Sequence, residues 1–199
     1  MKKTIKFIIY LISYVIVAPI VAVIYVTRSI HVFLVAGQFL SLIPDVPGCF
    51  IRAAYYRLTL DKCPLDVQIC FGTFFTKRNI EIGKGVYIGG NCNIGMCRIG
   101  DHATIASSVC ILSGKNQHGF RQIGVPVQQQ PGRYQQISIG ENCWIGHGAI
   151  IMADLGKQNV IASGAVIVKK TDDYEIWAGN PAQLIKKITD QNVYEQKKY

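Results

Sequence analysis

The chain is 199 residues long, 50% hydrophobic and 17% charged, with a formal net charge of +9. That length allows one domain and an appendage. The positive charge does not make it a nucleic-acid binder: the lysines cluster towards the two ends, and no helix-turn-helix, RNA-binding signature or zinc-finger spacing accompanies them. Basic residues beside an apolar segment suit anionic lipid or a phosphate-bearing cofactor instead.

The first element is Phe7 to Val26, FIIYLISYVIVAPIVAVIYV, free of charge and preceded by Lys2, Lys3 and Lys6. It is long enough to cross a hydrocarbon core, and too long for a signal peptide with no clean small-residue cleavage site behind it. Pro19 kinks such a helix in a way membranes tolerate. Ser29 to Pro44 is a second apolar stretch, marginal for a full span and suited to a re-entrant or interfacial helix. The leading lysines put the N-terminus in the cytoplasm. If the second stretch also crosses, a hairpin returns the chain there; if it does not, either the first segment is re-entrant or the domain lies outside. PDVPG (Pro44 to Gly48) breaks this segment. Phe50, Ala54, Tyr55 and Leu58 then share one helical face, with Arg52 placed to snorkel, which predicts an amphipathic helix that caps the domain beyond it or lies on the membrane.

From Ile82 to Ile167 an isoleucine returns about every six residues, usually followed by glycine. The beats are Ile82, Ile88, Ile94, Ile99, Ile105 and Ile111, then Ile139, Ile145, Ile151, Ile161 and Ile167. Four residues after several of them stands a small or branched side chain: Val86, Cys92, Ala103, Val109, Cys143, Ala149, Ala165. A period of six fits no α-helix. It fits a parallel β-helix, whose short strands coil and stack with the beats pointing inward. Gly83, Gly89, Gly95, Gly100, Gly140 and Gly146 come directly after beats, where leaving a corner would call for an unusual φ. Cys92 and Cys143 fall on inward small positions and read as buried fillers in a reducing compartment. The seven cysteines form no CxxC or zinc-finger pattern, and none reads as a nucleophile.

The period fails at Ser113 and resumes at Ile137 and Ile139, so residues 113–136, rich in glutamine, leave the coil as a long loop of the kind that carries function. About five coils remain once that loop is set aside. After Ile176, AGNPAQLIKKI turns out of the coil and a short helix is expected from Ala182. The predicted organisation is therefore a membrane-anchoring segment over 1–48, an amphipathic helix or linker over 49–64, a β-helix over 65–178 with its protruding loop, and a turn and helix over 179–199.

With the repeat, the polar loop, WIG and AGNPA in that order, the chain from about Cys63 to Lys187 resembles the hexapeptide-repeat acyltransferases, in particular the branch of xenobiotic, maltose and polysaccharide O-acetyltransferases. The resemblance implies a left-handed parallel β-helix, against the usual crossover rule. It also implies a homotrimer with active sites between neighbouring coils, and acetyl-CoA as donor with no metal. It puts the general base on the loop histidine of SGKNQHGF, His118: a hydroxyl attacks a thioester poorly unless its proton is removed, and an imidazole accepts a proton near neutral pH. Asn116 and Gln117 would orient base or acceptor. Trp144 in CWIG matches a tryptophan near donor and acceptor. Backbone amides around Gly146 and Ser163 would receive thioester oxygen or pantetheine, with Ala162 in the same pantetheine-contacting segment. Lys169 matches a lysine that meets a coenzyme phosphate, although the family's threonine is Val168 here and its usual proline is Asp172. Asn180 and Pro181 would stand at a turn beside the adenine, and Lys186 would touch the 3′-phosphate.

The acceptor implied by an anchored enzyme is a hydroxyl on a glycan or lipid-linked saccharide at the bacterial inner membrane, with the β-helix on the cytoplasmic side. The same fold leaves room for an amine acceptor, for an acyl-carrier-protein donor, or for a non-catalytic trimeric membrane scaffold. A carbonic-anhydrase-like zinc site would need three histidines, and His102, His118 and His147 do not have that family's spacing.

Overall fold

The computed structural model describes residues 2–189. Three helices precede the coil: α1 (Lys2–Thr27), α2 (Ile30–Ser41) and α3 (Asp45–Thr59). Only α1 is long and apolar enough to cross a membrane among the described residues; α2 has twelve residues.

The coil then winds through three faces. The first holds β1 (Gln68–Ile69), β4 (Tyr87–Ile88), β7 (Thr104–Ile105), β10 (Trp144–Ile145), β12 (Val160–Ile161) and β14 (Glu175–Gly179). The second holds β2 (Phe74–Phe75), β5 (Asn93–Ile94), β8 (Cys110–Ile111), β11 (Ile150–Ile151) and β13 (Val166–Ile167). The third holds β3 (Glu81–Ile82), β6 (Cys97–Ile99) and β9 (Ile137–Ile139), continued by a bridge from Ile139 to Leu155. Every pairing between rungs is parallel and beat sits on beat: Ile88 on Ile105, Ile105 on Ile145, Ile145 on Ile161. The first face therefore stacks six parallel rungs, one more than the five coils expected, because β14 continues the ladder with Trp177 on the beat above Ile161.

The inward positions are as predicted. The beats from Ile82 to Ile167 and the small residues four places later, Val86, Cys92, Ala103, Val109, Cys143, Ala149 and Ala165, are all buried. Burial pushes the Cys92 and Cys143 thiols upward in pKa and that of Cys63 up to about 12, so they stay protonated and pack as apolar groups.

Three expectations need correcting. The glycines after the beats do not have positive φ; the left-handed residues are others, among them Gly85, Gly148, Asn91 and His102. Glycine stands after the beats because adjacent coils nearly touch there: a Cβ on Gly146 would stand 2.5 Å from the Ser163 nitrogen, and one on Gly100 2.5 Å from that of Glu141. Secondly, α3 caps the first coil, one of the two places expected for it, but it is not amphipathic there. Ile51 to Tyr56 are all buried, because α1 and α2 cover one side while the first coil covers the other. Arg52 does not snorkel: it is fully buried, donating from Nε to Ile69 O (2.8 Å) and from Nη1 to Leu40 O, Ser41 O and Ile43 O (3.1, 3.3 and 2.8 Å). Thirdly, the chain from Ala182 is not a helix. It is strand β15 (Ala182–Lys187), antiparallel to β14, which takes up the open edge that the last rung would otherwise expose. The part of the predicted helix beyond residue 189 lies outside the described residues.

Candidate active site

The corner at which the chain passes from the first face to the second carries a column of equivalent positions, one per coil: Ser107, His147 and Ser163, preceded by Ala106, Gly146 and Ala162. Ladder bonds hold it together, with Gly148 N donating to Ser107 O (3.1 Å) and Gly164 N to His147 O (2.8 Å). Trp144 stands just before the corner on the outer surface of the first face, between Thr104 and Val160, and is exposed. Asn180 and Pro181 form the turn between β14 and β15 at the top of the column, and Lys186 lies on β15 opposite Ile176, pointing its exposed side chain from the same face. Six of the predicted donor-binding residues, Trp144, Gly146, Ala162, Ser163, Asn180 and Pro181, thus gather along one edge of the prism, with Lys186 at its end.

The Gly146 amide is already engaged, donating to Ile161 O at 2.7 Å, so it cannot also receive a thioester oxygen. The Ser163 amide donates to no other group among the described residues and remains open for that purpose. Lys169 belongs to a different corner, between the second and third faces, and its Nζ rests 5.2 Å from the centre of the buried Trp177 ring.

His118 is also at that second corner. Loop 113–136 leaves there after β8, and its two arms are tied together by Arg133 N to Asn116 O (2.7 Å) and Gln135 N to Ser113 O (2.9 Å). The Gln117 carboxamide donates to Gly114 O (3.1 Å), so Gln117 is engaged in holding the loop, while Asn116 is exposed. Further out, the buried side chain of Gln130 accepts from Gln122 N and donates to Gln122 O and Val125 O at 2.9–3.0 Å, pinning the outer turn. His118 itself is exposed, and no hydrogen bond or ring contact among the described residues joins it to the Trp144–Ser163 edge. One chain therefore does not bring the predicted base and the predicted donor edge together.

That edge carries an imidazole of its own, which sequence reasoning passed over. His147 is exposed, and its Nδ1 lies 2.9 Å from Ser107 Oγ one coil below. The signal was the spacing itself: Ser107 and His147 each stand two places after a first-face beat. His102 lies at the third corner, between third and first faces. His102, His118 and His147 thus occupy three different corners, and no group of three potential ligands is placed to share a metal among the described residues.

No family model matches the chain. A maltose O-acetyltransferase from Clostridium difficile superposes with a TM-score of 0.65 at 20% identity, over 81% of this chain and 89% of that one. The fold is shared. A galactoside acetyltransferase solved in complex with coenzyme A gives a TM-score of 0.60 at 21% identity, over 85% and 88% of the two chains. In sequence, the galactoside O-acetyltransferase of Lactococcus lactis is 25% identical over 134 residues, 63% of this chain and 61% of that protein. The chain spans less than two thirds of the length of the curated relatives it matches. The fold shared with these structures accounts for the coil.

Proposed function

We propose that the protein is a membrane-associated O-acetyltransferase that moves acetyl from acetyl-CoA to a hydroxyl of a glycan or lipid-linked saccharide. The observation that carries this reading is the single edge on which Trp144, the open Ser163 amide, the Asn180–Pro181 turn and Lys186 are aligned, on a fold shared with a galactoside acetyltransferase solved with coenzyme A. An extended donor would lie along this edge towards the Asn180–Pro181 turn, with Lys186 as a cation for its phosphates. The coil would be left-handed and the assembly a homotrimer. The separation of His118 from this edge supports the latter, since a threefold neighbour can bring its second corner against another chain's first. The site would face the cytoplasm at a bacterial inner membrane.

In this reading His118 removes the acceptor O–H proton as the oxygen attacks the thioester carbon. The new C–O bond forms, the C–S bond breaks, and the leaving thiolate takes the proton back from the His118 imidazolium, which gives the free thiol and restores the base. The Ser163 amide stabilises charge on the carbonyl oxygen. The Ser107–His147 pair favours a second reading, in which the imidazole already on the donor edge is the base and Ser107 fixes its orientation.

Thiol release from acetyl-CoA across a panel of cell-surface saccharides separates the two. His118→Ala is expected to lower turnover by roughly 10²–10⁴-fold with His147→Ala much milder; the reverse order would move the base to His147, and full activity in both would remove the imidazole from the mechanism.

A further inference from the structure

A helix that crosses a bilayer must be free of its own domain over the span, and α1 is not. Its Tyr10 hydroxyl donates to Leu65 O, at the start of the coil, and the Tyr10 ring meets Phe50 of α3 edge-on at 4.9 Å. Fifteen positions later the Tyr25 hydroxyl donates to Leu58 O at 2.7 Å, and the Arg78 guanidinium lies 5.5 Å from the Tyr25 ring centre. Between these ends Ser13, Val17, Val21 and Ile24 are buried, a stripe with the spacing of one helix side, while the rest of the girth is open. At 1.5 Å per residue the bonded stretch runs about 22 Å, most of a hydrocarbon core about 30 Å thick.

The layer beneath the coil is built the same way throughout. α3 touches the first coil from Arg52 on Ile69 O to Tyr56 on Phe75, whose rings are 4.4 Å apart. α2 runs back alongside, with Phe33 stacked on Tyr55 at 6.0 Å and Ser41 O accepting from Gly72 N at 2.8 Å. All three helices lie across the base of the prism. Standing α1 upright in a bilayer would drag the rim of the first coil into hydrocarbon, with Asp61, Lys62, Asp66 and Arg78, and each ionised group there costs roughly 2.5–3.5 kcal/mol or more.

We infer that α1 does not cross the membrane: the three helices form a flat platform that sinks into one leaflet of an anionic bilayer, with the coil standing on it. This rests on the membrane association proposed above and specifies its geometry. The polar side that an in-plane helix normally supplies itself is supplied here by the coil, which is why α1 can be apolar around its whole girth. Its outward residues include Phe7, Val15 and Val26, which are 68%, 70% and 84% exposed, and α2 adds Phe39. The charge fits an anionic surface: between Met1 and Leu60 the only acid is Asp45, against Lys2, Lys3, Lys6, Arg28 and Arg57 besides the buried Arg52.

Both native tryptophans, Trp144 and Trp177, are in the upper coils, so single tryptophans introduced by Ile8→Trp, Val15→Trp and Val26→Trp, on one open side of the helix, report on α1 alone. The full chain is bound to phosphatidylglycerol–phosphatidylethanolamine vesicles carrying bromine near either the headgroup end or the methyl end of the acyl chains. A platform gives equal quenching at all three positions, strongest with the shallow bromines. Deep quenching at Val15→Trp with shallow quenching at the other two means that α1 crosses, and overturns this inference while leaving membrane association intact. Absence of both quenching and vesicle flotation overturns the membrane reading itself, and would turn the apolar face towards a second copy, visible as a larger assembly on sizing.

Discussion

Arg52 is a buried cation with no carboxylate partner; among the described residues it forms no ion pair. Its charge is balanced by the carbonyl ends of α2, where the helix dipole is negative, and by Ile69 O of the first rung. One side chain thus joins α2, α3 and the coil. Arg52→Met should lower stability by about 3 kcal/mol by leaving Ile43 O and Ile69 O without their donor, with Arg52→Lys intermediate between wild type and Arg52→Met because an ammonium cannot fork across them. Thermal unfolding in matched lipid or detergent checks this, and an unchanged midpoint for Arg52→Met would show that those carbonyls find other donors. Sequence could not reveal this residue's role, since an arginine on an apolar helix face looks the same whether water or a neighbouring helix end receives it. His147 was hidden for a related reason: its partner Ser107 is one coil away in space and forty residues away in sequence.

Among the elements, the strands were the most legible and the cause is physical. A coil in which every rung repeats the last forces the same side-chain sizes at the same offsets, so Ile105 over Ile145 or Ala103 in its narrow place can be read directly. Elements that answer to a unique environment cannot be read this way. AQLIKKI has apolar positions compatible with helix or strand, and only the free edge of β14 decides for strand. Loop 113–136 was visible as a break in period, but not the internal clasp made by Gln130. That clasp predicts a separation of effects: Gln130→Ala should loosen the outer loop and reduce turnover several-fold while leaving the unfolding midpoint of the coil within about 2 °C, since a surface loop contributes little to global stability. Equal losses in both measurements would show the loop to be part of the folding unit.

As a whole molecule the prism is closed at both ends by different chemistry. Apolar helices plug the base, with Tyr56 against Phe75. At the top a buried polar network does so: Glu175 accepts from Asp172 N and Trp177 Nε1 at 3.0 and 2.9 Å, and Asn159 Oδ1 accepts from Glu175 N at 2.7 Å. The helices give the base a broad apolar surface, so the molecule has an orientation, and the candidate site has an altitude. Ser107, His147 and Ser163 belong to the third, fourth and fifth rungs of the first face, which at about 4.8 Å per rung lifts them roughly 10–20 Å above the lowest one. A single sugar riding directly on a lipid phosphate would stay near the floor, whereas a chain of several sugars climbs to the edge. Synthetic lipid-linked acceptors of increasing saccharide length should therefore show kcat/KM rising from near zero for the monosaccharide to a plateau, while the same sugars freed from lipid react with little regard to length.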